Sequence, residues 1–339
     1  METVDERNRL KDYRVVCAKL GAVMCVYFVC RIISGVLVDL ISGLGNTIGN
    51  TPAYMIGYVV MIIMIYVIPI LVTAIVFNSF SYYSRDNGGL RALYRKPRRL
   101  ARAFGTFPAM YGFGYGTALL TLLVMFIVSR ITGGQTLIED LFRPTALEPS
   151  SSIVSALAML FMLVVIAPVV EEIWVRGIMY DALKPYGNGI AIIISSVLFG
   201  LMHGSLYMLF YTTALGFALG YVRYATGSLF VVTILHAIIN SISGCLLLLL
   251  SLVEITDGDS RLLNTVFTIY VLAILILIVV GIIAFITKIP AIKEYRIENG
   301  WDEIGPGKKT SLFLLSIPVI IMLILAINEL ANNWLRRLF

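Results

Sequence analysis

Ala167-Pro-Val-Val-Glu-Glu-Ile-Trp-Val-Arg-Gly177 closes an apolar run with two adjacent carboxylates and a guanidinium. An ionised side chain near the centre of a bilayer costs roughly 2.5–3.5 kcal/mol on insertion-type scales. Glu171, Glu172 and Arg176 therefore need partners or a water-filled cavity. The rest of the chain reads as the helices that supply them.

Composition sets the class. The chain has 339 residues, 59% of them hydrophobic and only 14% charged, with a mean hydropathy of +0.91. This excludes an ordinary soluble globule and points to a polytopic membrane protein. Apolar segments recur at 15–43, 55–78, 109–130, 152–180, 189–204, 206–223, 229–252, 262–288 and 311–333. Most approach or exceed the roughly 20 residues a helix needs to cross the hydrocarbon. The expected fold is an all-α transmembrane bundle of about eight to nine spans, with a polar cavity inside the membrane.

The net charge of +6 lies in the short segments between these runs, so it calls for no nucleic-acid partner. The segment after the second run carries Arg85, Arg91, Arg95, Lys96, Arg98, Arg99 and Arg102, whereas the segment after the third carries Glu139, Asp140 and Glu148 against Arg143. The positive-inside rule then places the N-terminus in the cytoplasm, with Arg336 and Arg337 as the exception to a nine-span count. The four cysteines, Cys17, Cys25, Cys30 and Cys245, have no metal-binding spacing and read as small core residues. Gly200/Gly204 and Gly216/Gly220 are small pairs that allow neighbouring helices to approach closely. Gly305-Pro-Gly-Lys-Lys-Thr310 reads as a plain turn.

The polar chemistry concentrates between residues 171 and 240. The chain has two histidines, His203 and His236, and both fall in apolar segments expected to be helical. Glu171 and His203 each lie about 14 residues, or about 21 Å of helix, from a turn near Pro185. They are thus expected at matching depth on antiparallel neighbours. A second turn at Ala225-Thr-Gly-Ser228 brings His236 and Asn240 to the same layer. His236 and Asn240 share a face by their i, i+4 spacing, and Glu172 with Arg176 has the order that favours an ion pair. That pairing leaves Glu171 as the freer carboxylate, suited to general-base work.

Glu171-Glu172-x-x-x-Arg176, Phe199-x-x-x-His203 and His236-x-x-x-Asn240, in this order on successive apolar segments, resemble the three signature motifs of the CAAX protease and bacteriocin-processing family. Its eukaryotic relative is the Ras-converting endopeptidase. The resemblance covers roughly residues 150 to 250. It departs where the family often has an aromatic residue before the arginine: Val175 stands there, with Trp174 one position earlier.

The resemblance implies an intramembrane endopeptidase without a covalent intermediate. Glu171 with His203 would activate water, His236 with Asn240 would donate to the oxyanion, and Glu172 and Arg176 would form the supporting shell. It implies no cofactor, with zinc on Glu171, His203 and His236 as the alternative; no HExxH motif supports that set. The implied partners are membrane lipids and a membrane-associated peptide or protein, with no nucleic acid. Peptide pheromones, bacteriocins, lipidated C-termini and bacteriocin immunity are all open, and the implied location is the cell membrane.

The chain then divides into a tail (1–14), N-terminal spans with the basic loop (15–150), a catalytic core (151–252) and C-terminal spans (253–339). Two other readings stay open: a noncatalytic scaffold for a sensor kinase or immunity target, and a proton-coupled transporter. Serine and aspartyl intramembrane proteases fit less well. Asn240-Ser-Ile-Ser-Gly244 lacks the leading glycine of the serine motif, and Asp257-Gly-Asp259 falls in a loop.

Overall fold

The computed structural model describes residues 4–44, 49–78, 96–97, 100–132, 152–294 and 305–335, and the regular structure there is helical. Arg85, Arg91, Arg95, Arg98 and Arg99, the acidic segment with Glu139, Asp140 and Glu148, and the terminal Arg336 and Arg337 lie outside the described residues.

In chain order, α1 is Val4–Gly43, followed by α2 over 50–76, the short α3 at Leu100–Gly105 and α4 at Phe107–Thr132. Then come α5 over 153–183, α6 at Asn188–Leu201, α7 at Leu206–Thr226, α8 at Leu229–Ile255 and α9 at Arg261–Glu294. The chain closes with α10 at Pro306–Leu314 and α11 at Ile317–Leu335. Two of these helices are not α-helical throughout: α2 widens into a π-helix at Ile62–Val67, and α5 does so at Met162–Ile166 and again at Ile173–Met179.

Among the described residues, six helical stretches are long and apolar enough to cross a membrane: Arg7–Gly43, Pro52–Val76, Ala103–Val128, Ile153–Tyr186, Leu229–Ile255 and Arg261–Lys288. A seventh is made if α10 and α11, bent by 72°, count as one. The chain is thus a multi-pass membrane protein, and its described residues hold fewer candidate spans than the eight or nine expected from the apolar runs. The difference lies in the α6–α7 hairpin. Helix α6 has 14 residues and reaches only about 21 Å, short of a hydrocarbon core of about 30 Å. Helix α7 is interrupted by tyrosines, threonines and Arg223, which dilute its apolar character.

Two large apolar cores hold the bundle together, and a smaller third packs α2 on α5 around Tyr66, Met162 and Ala167. One joins α1, the C-terminal half of α5, α6, α10 and α11 around Tyr13, Leu20, Met24, Phe28, Trp174 and Phe199. The other joins α4, α7, α8 and α9 around Tyr111, Leu219, Val232 and Leu235. Side chains such as Ile32, Val36, Leu120, Phe126, Ile276 and Ile283 project from the outer faces of the spans. An apolar exterior is what a bilayer requires of them.

The glycine pairs act largely as expected. A methyl group at Gly200 would collide with Thr213, and methyl groups at Gly216 and Gly220 would press on Ser196 and Ile192, so α6 and α7 lie almost backbone to backbone. Gly204 is the exception: it follows the end of α6 in a left-handed turn (φ 62°) rather than lying in a helix. The four cysteines are free. The Gly305–Thr310 stretch is not a plain turn: α10 starts at Pro306, and the Lys309 amine donates to the Tyr186 carbonyl at 2.8 Å. This ties α10 to the turn between α5 and α6.

Candidate active site

The second π-helical stretch of α5 begins directly after Glu172. A widened turn rotates the helical positions beyond it, and such bulges occur often at functional sites. Glu172 and Arg176 nevertheless keep the expected pairing, with Arg176 Nη1 donating to Glu172 Oε1 at 3.1 Å and both side chains wholly enclosed. Arg176 Nη2 donates to the Gly216 carbonyl at 3.1 Å. The guanidinium also lies over the Phe199 ring, 4.4 Å from its centroid. One cation thus binds α5 to α6 and α7, and it can do so because Gly216 has no side chain to fill the space.

Helix α8 brings His236 against both carboxylates. Its Nδ1 lies 2.8 Å from Glu172 Oε1, and its Nε2 lies 3.8 Å from Glu171 Oε2. Glu172 Oε1 already accepts from Arg176, so in a neutral ring the Nδ1–H donates to it and the Nε2 lone pair faces Glu171. A carboxylate, an imidazole and a second carboxylate therefore stand in a row. Glu171 Oε1 accepts a hydrogen bond from the Tyr66 hydroxyl at 3.1 Å. Tyr66 lies in the π-helical turn of α2, a residue that spacing and charge in the sequence did not single out. The signal available was a tyrosine just before Pro69 in an apolar span.

The apolar surroundings of His203 suggest a helix, but α6 ends at Leu201 and His203 occupies the turn before Gly204. Its Nδ1 lies 2.8 Å from the Phe199 carbonyl; a carbonyl only accepts, so Nδ1 carries the hydrogen and Nε2 is left as an acceptor. Among the described residues no hydrogen bond joins His203 to Glu171. The two histidines flank the Phe199 ring instead, at centroid distances of 4.9 Å for His203 and 5.7 Å for His236, both edge-on.

Asn240 is one turn beyond His236, and its Nδ2 donates to the Leu163 carbonyl at 2.9 Å. The reason lies in the first π-helical stretch of α5. There Ala167 donates to the Met162 carbonyl, five residues back, so the next bond in that register would run from residue 168 to Leu163. Pro168 has no N–H to give. The Asn240 side chain supplies the missing donor and fixes α8 against the bend in α5.

The alternative zinc set fits poorly. Among the described residues no three His, Cys, Asp or Glu side chains converge as ligands. Each histidine commits Nδ1 to a protein acceptor, which would leave Nε2 for a ligand, but Glu171, His203 and His236 do not converge closely enough to ligate one ion. No chemical step is therefore assigned to a metal.

Two lone charges in apolar spans add to the polar interior, and neither stands out by motif or spacing in the sequence. Arg31 of α1 meets Glu329 of α11 through its Nε, and both side chains are mostly buried. Its Nη1 donates to the Met202 carbonyl and to the Tyr27 hydroxyl, and its Nη2 donates to the His203 carbonyl at 3.2 Å. Their sequence signal is plain in physical terms: an ionisable residue alone in a membrane span is a functional-site candidate.

In composition the site is a buried carboxylate facing an oriented imidazole, with a half-buried second imidazole beside it. Such a set can hold a water, remove its proton and stabilise a developing oxyanion. Residues 153–242 match the family model described as type II CAAX prenyl endopeptidase, Rce1-like. No curated protein and no solved structure matches the chain.

Proposed function

We propose that this chain, whose residues 153–242 form a domain of the Rce1-like type II CAAX prenyl endopeptidase family, is an intramembrane endopeptidase of the cell membrane. It hydrolyses a peptide bond in a membrane-associated peptide or protein with water activated at Glu171. The observation that carries this reading is the row formed by Glu172, His236 and Glu171, buried inside a membrane bundle and anchored by Arg176.

The reaction follows from the positions of these groups. Glu171, held by Tyr66 at one oxygen, takes a proton from a water lying near its other oxygen and His236. The hydroxide adds to the scissile carbonyl carbon and places negative charge on the carbonyl oxygen. The proton held by Glu171 passes to the leaving nitrogen as the C–N bond breaks. One water is consumed, giving a carboxylate and an amine.

His203, with its Nε2 unengaged, is the second polar group beside that water. Glu172 orients His236 as the acid of a catalytic triad orients its histidine; protonated at both nitrogens in this step, the ring keeps its Nδ1–H on Glu172 and turns Nε2–H to the oxyanion. Asn240 spends one N–H on Leu163 and has a second for the same oxyanion.

The test uses purified protein in nanodiscs and a library of membrane-tethered peptides, with and without C-terminal prenylation, read by mass spectrometry. The expected result is cleavage at an internal peptide bond, unchanged by a chelator and lost in His203→Ala. Loss with chelator and recovery with zinc would overturn the metal-free mechanism. Cleavage by neither wild type nor variant, across prenylated and unprenylated peptides, would favour a noncatalytic membrane scaffold.

A further inference from the structure

The match to the family ends at residue 242 and begins at residue 153, yet the turn that carries His203 is held from outside that segment. Two carbonyls of this turn, Met202 and His203, accept hydrogen bonds from the Arg31 guanidinium. The Tyr27 hydroxyl donates to the same Met202 carbonyl at 2.6 Å, and its ring packs on Trp174 at a centroid distance of 5.3 Å. The Glu329 carboxylate holds Arg31 at Nε. At Gly204 the backbone is left-handed, and a Cβ there would fall on both Arg31 and Glu329. The turn, the cation and the carboxylate are thus fitted to one another at atomic contact.

A plain staple between the first and last helices does not account for this arrangement. Helices α1 and α11 already share an apolar core through Met24, Tyr27, Phe28, Val319, Met322 and Ala326. They also come close at Gly21, where a methyl group would overlap the backbone of Val319. An ion pair adds little that this packing lacks, and charged side chains in a span are costly to keep. What the guanidinium does that packing cannot is bind two successive carbonyls on either side of the His203 side chain. The His203 Nδ1 is fixed by Phe199, so fixing the backbone leaves one direction for Nε2.

We propose that Arg31, oriented by Glu329, is a positioning residue that locks the Met202–Gly204 turn and so aims His203, making the first and last membrane helices necessary parts of the site. This rests on the reading of the site as a peptidase. The expected consequence of Arg31→Gln is a fall in kcat of about 10- to 100-fold with KM little changed, the scale at which misplacing a group by about 1 Å acts.

The chain has two histidines, so protein labelled with ¹⁵N-histidine gives two sets of imidazole signals, assigned with His203→Ala and His236→Ala. Arg31→Gln is expected to shift or broaden the His203 signals and to leave those of His236 in place. The double variant Arg31→Glu with Glu329→Arg restores opposite charges, but a carboxylate at position 31 cannot donate to the two carbonyls. It is expected to recover thermal stability without recovering kcat. Should Arg31→Gln not fold, Glu329→Gln carries the same test, with a smaller shift of His203 in the same direction. Unchanged His203 signals in these variants, or full recovery of kcat in the charge swap, would overturn the proposal. If wild type cleaves nothing, the peptidase reading fails, and the imidazole signals still decide whether Arg31 holds His203.

Discussion

The cluster around Glu172 and the clamp around Arg31 are both ionic networks inside a membrane bundle, and they are built in opposite ways. Glu172 and Arg176 have no exposed side-chain surface, whereas Arg31 and Glu329 retain 26% and 17%. The inner network comes from one continuous stretch of chain plus His236. The outer one joins α1, the α6–α7 turn and α11, and it acts on backbone rather than on a catalytic side chain. The inner cluster therefore bears on stability and chemistry together, while the outer one separates them. Substitutions can pull the two apart.

The largest expected effect on stability is Arg176→Ala. It leaves Glu172 buried without its cation, and breaking an enclosed pair in this way costs about 3–5 kcal/mol. Thermal unfolding in detergent would show it, with a clearly larger drop than Arg31→Gln produces. Equal drops would erase the contrast between the two networks.

Tyr66→Phe tests the edge of the inner cluster. It removes one hydrogen bond to a charged carboxylate, an interaction worth about 1.5–3 kcal/mol. The expected result is a slower turnover by about tenfold or more, with the fold intact by circular dichroism. A turnover matching wild type would mean that Glu171 needs no support from α2.

Asn240→Ala removes the donor that Pro168 cannot supply. A buried carbonyl left unsatisfied costs about 1–3 kcal/mol and the half-buried Leu163 carbonyl less, so the melting temperature should fall. Pairing it with Pro168→Ala, which restores an N–H to α5, should return part of that loss. An additive double variant would show that Leu163 is satisfied by other means.

Much of this is legible in the sequence. The apolar runs announce a helical membrane protein, and the i, i+4 spacing of Glu172 and Arg176 announces their ion pair. Counting residues back to the two turns puts Glu171, His203, His236 and Asn240 in one layer, and the structure brings His236 of this set against Glu171. Three things escape for physical reasons.

The π-helical turns at Ile62–Val67, Met162–Ile166 and Ile173–Met179 are invisible to a reading that assumes 3.6 residues per turn, and they set where Tyr66 and Leu163 point. The short α6 looks like a span when apolar content is counted beyond its end at Leu201. The same count puts His203 in a helix, though Gly204 one residue later allows the turn. Arg31 and Glu329 are visible as lone charges in apolar runs. Their partners are backbone carbonyls far away in sequence, and no spacing rule encodes those.

The central claim is that Glu171 is the general base of a peptide hydrolysis carried out inside the membrane. It is tested most directly by single-turnover cleavage of one identified substrate by wild type and Glu171→Gln, with unfolding temperatures measured in parallel. A positioned base contributes about 10²- to 10⁴-fold. The account predicts a loss of at least that size with the unfolding temperature preserved. Cleavage by Glu171→Gln at the wild-type rate would contradict it.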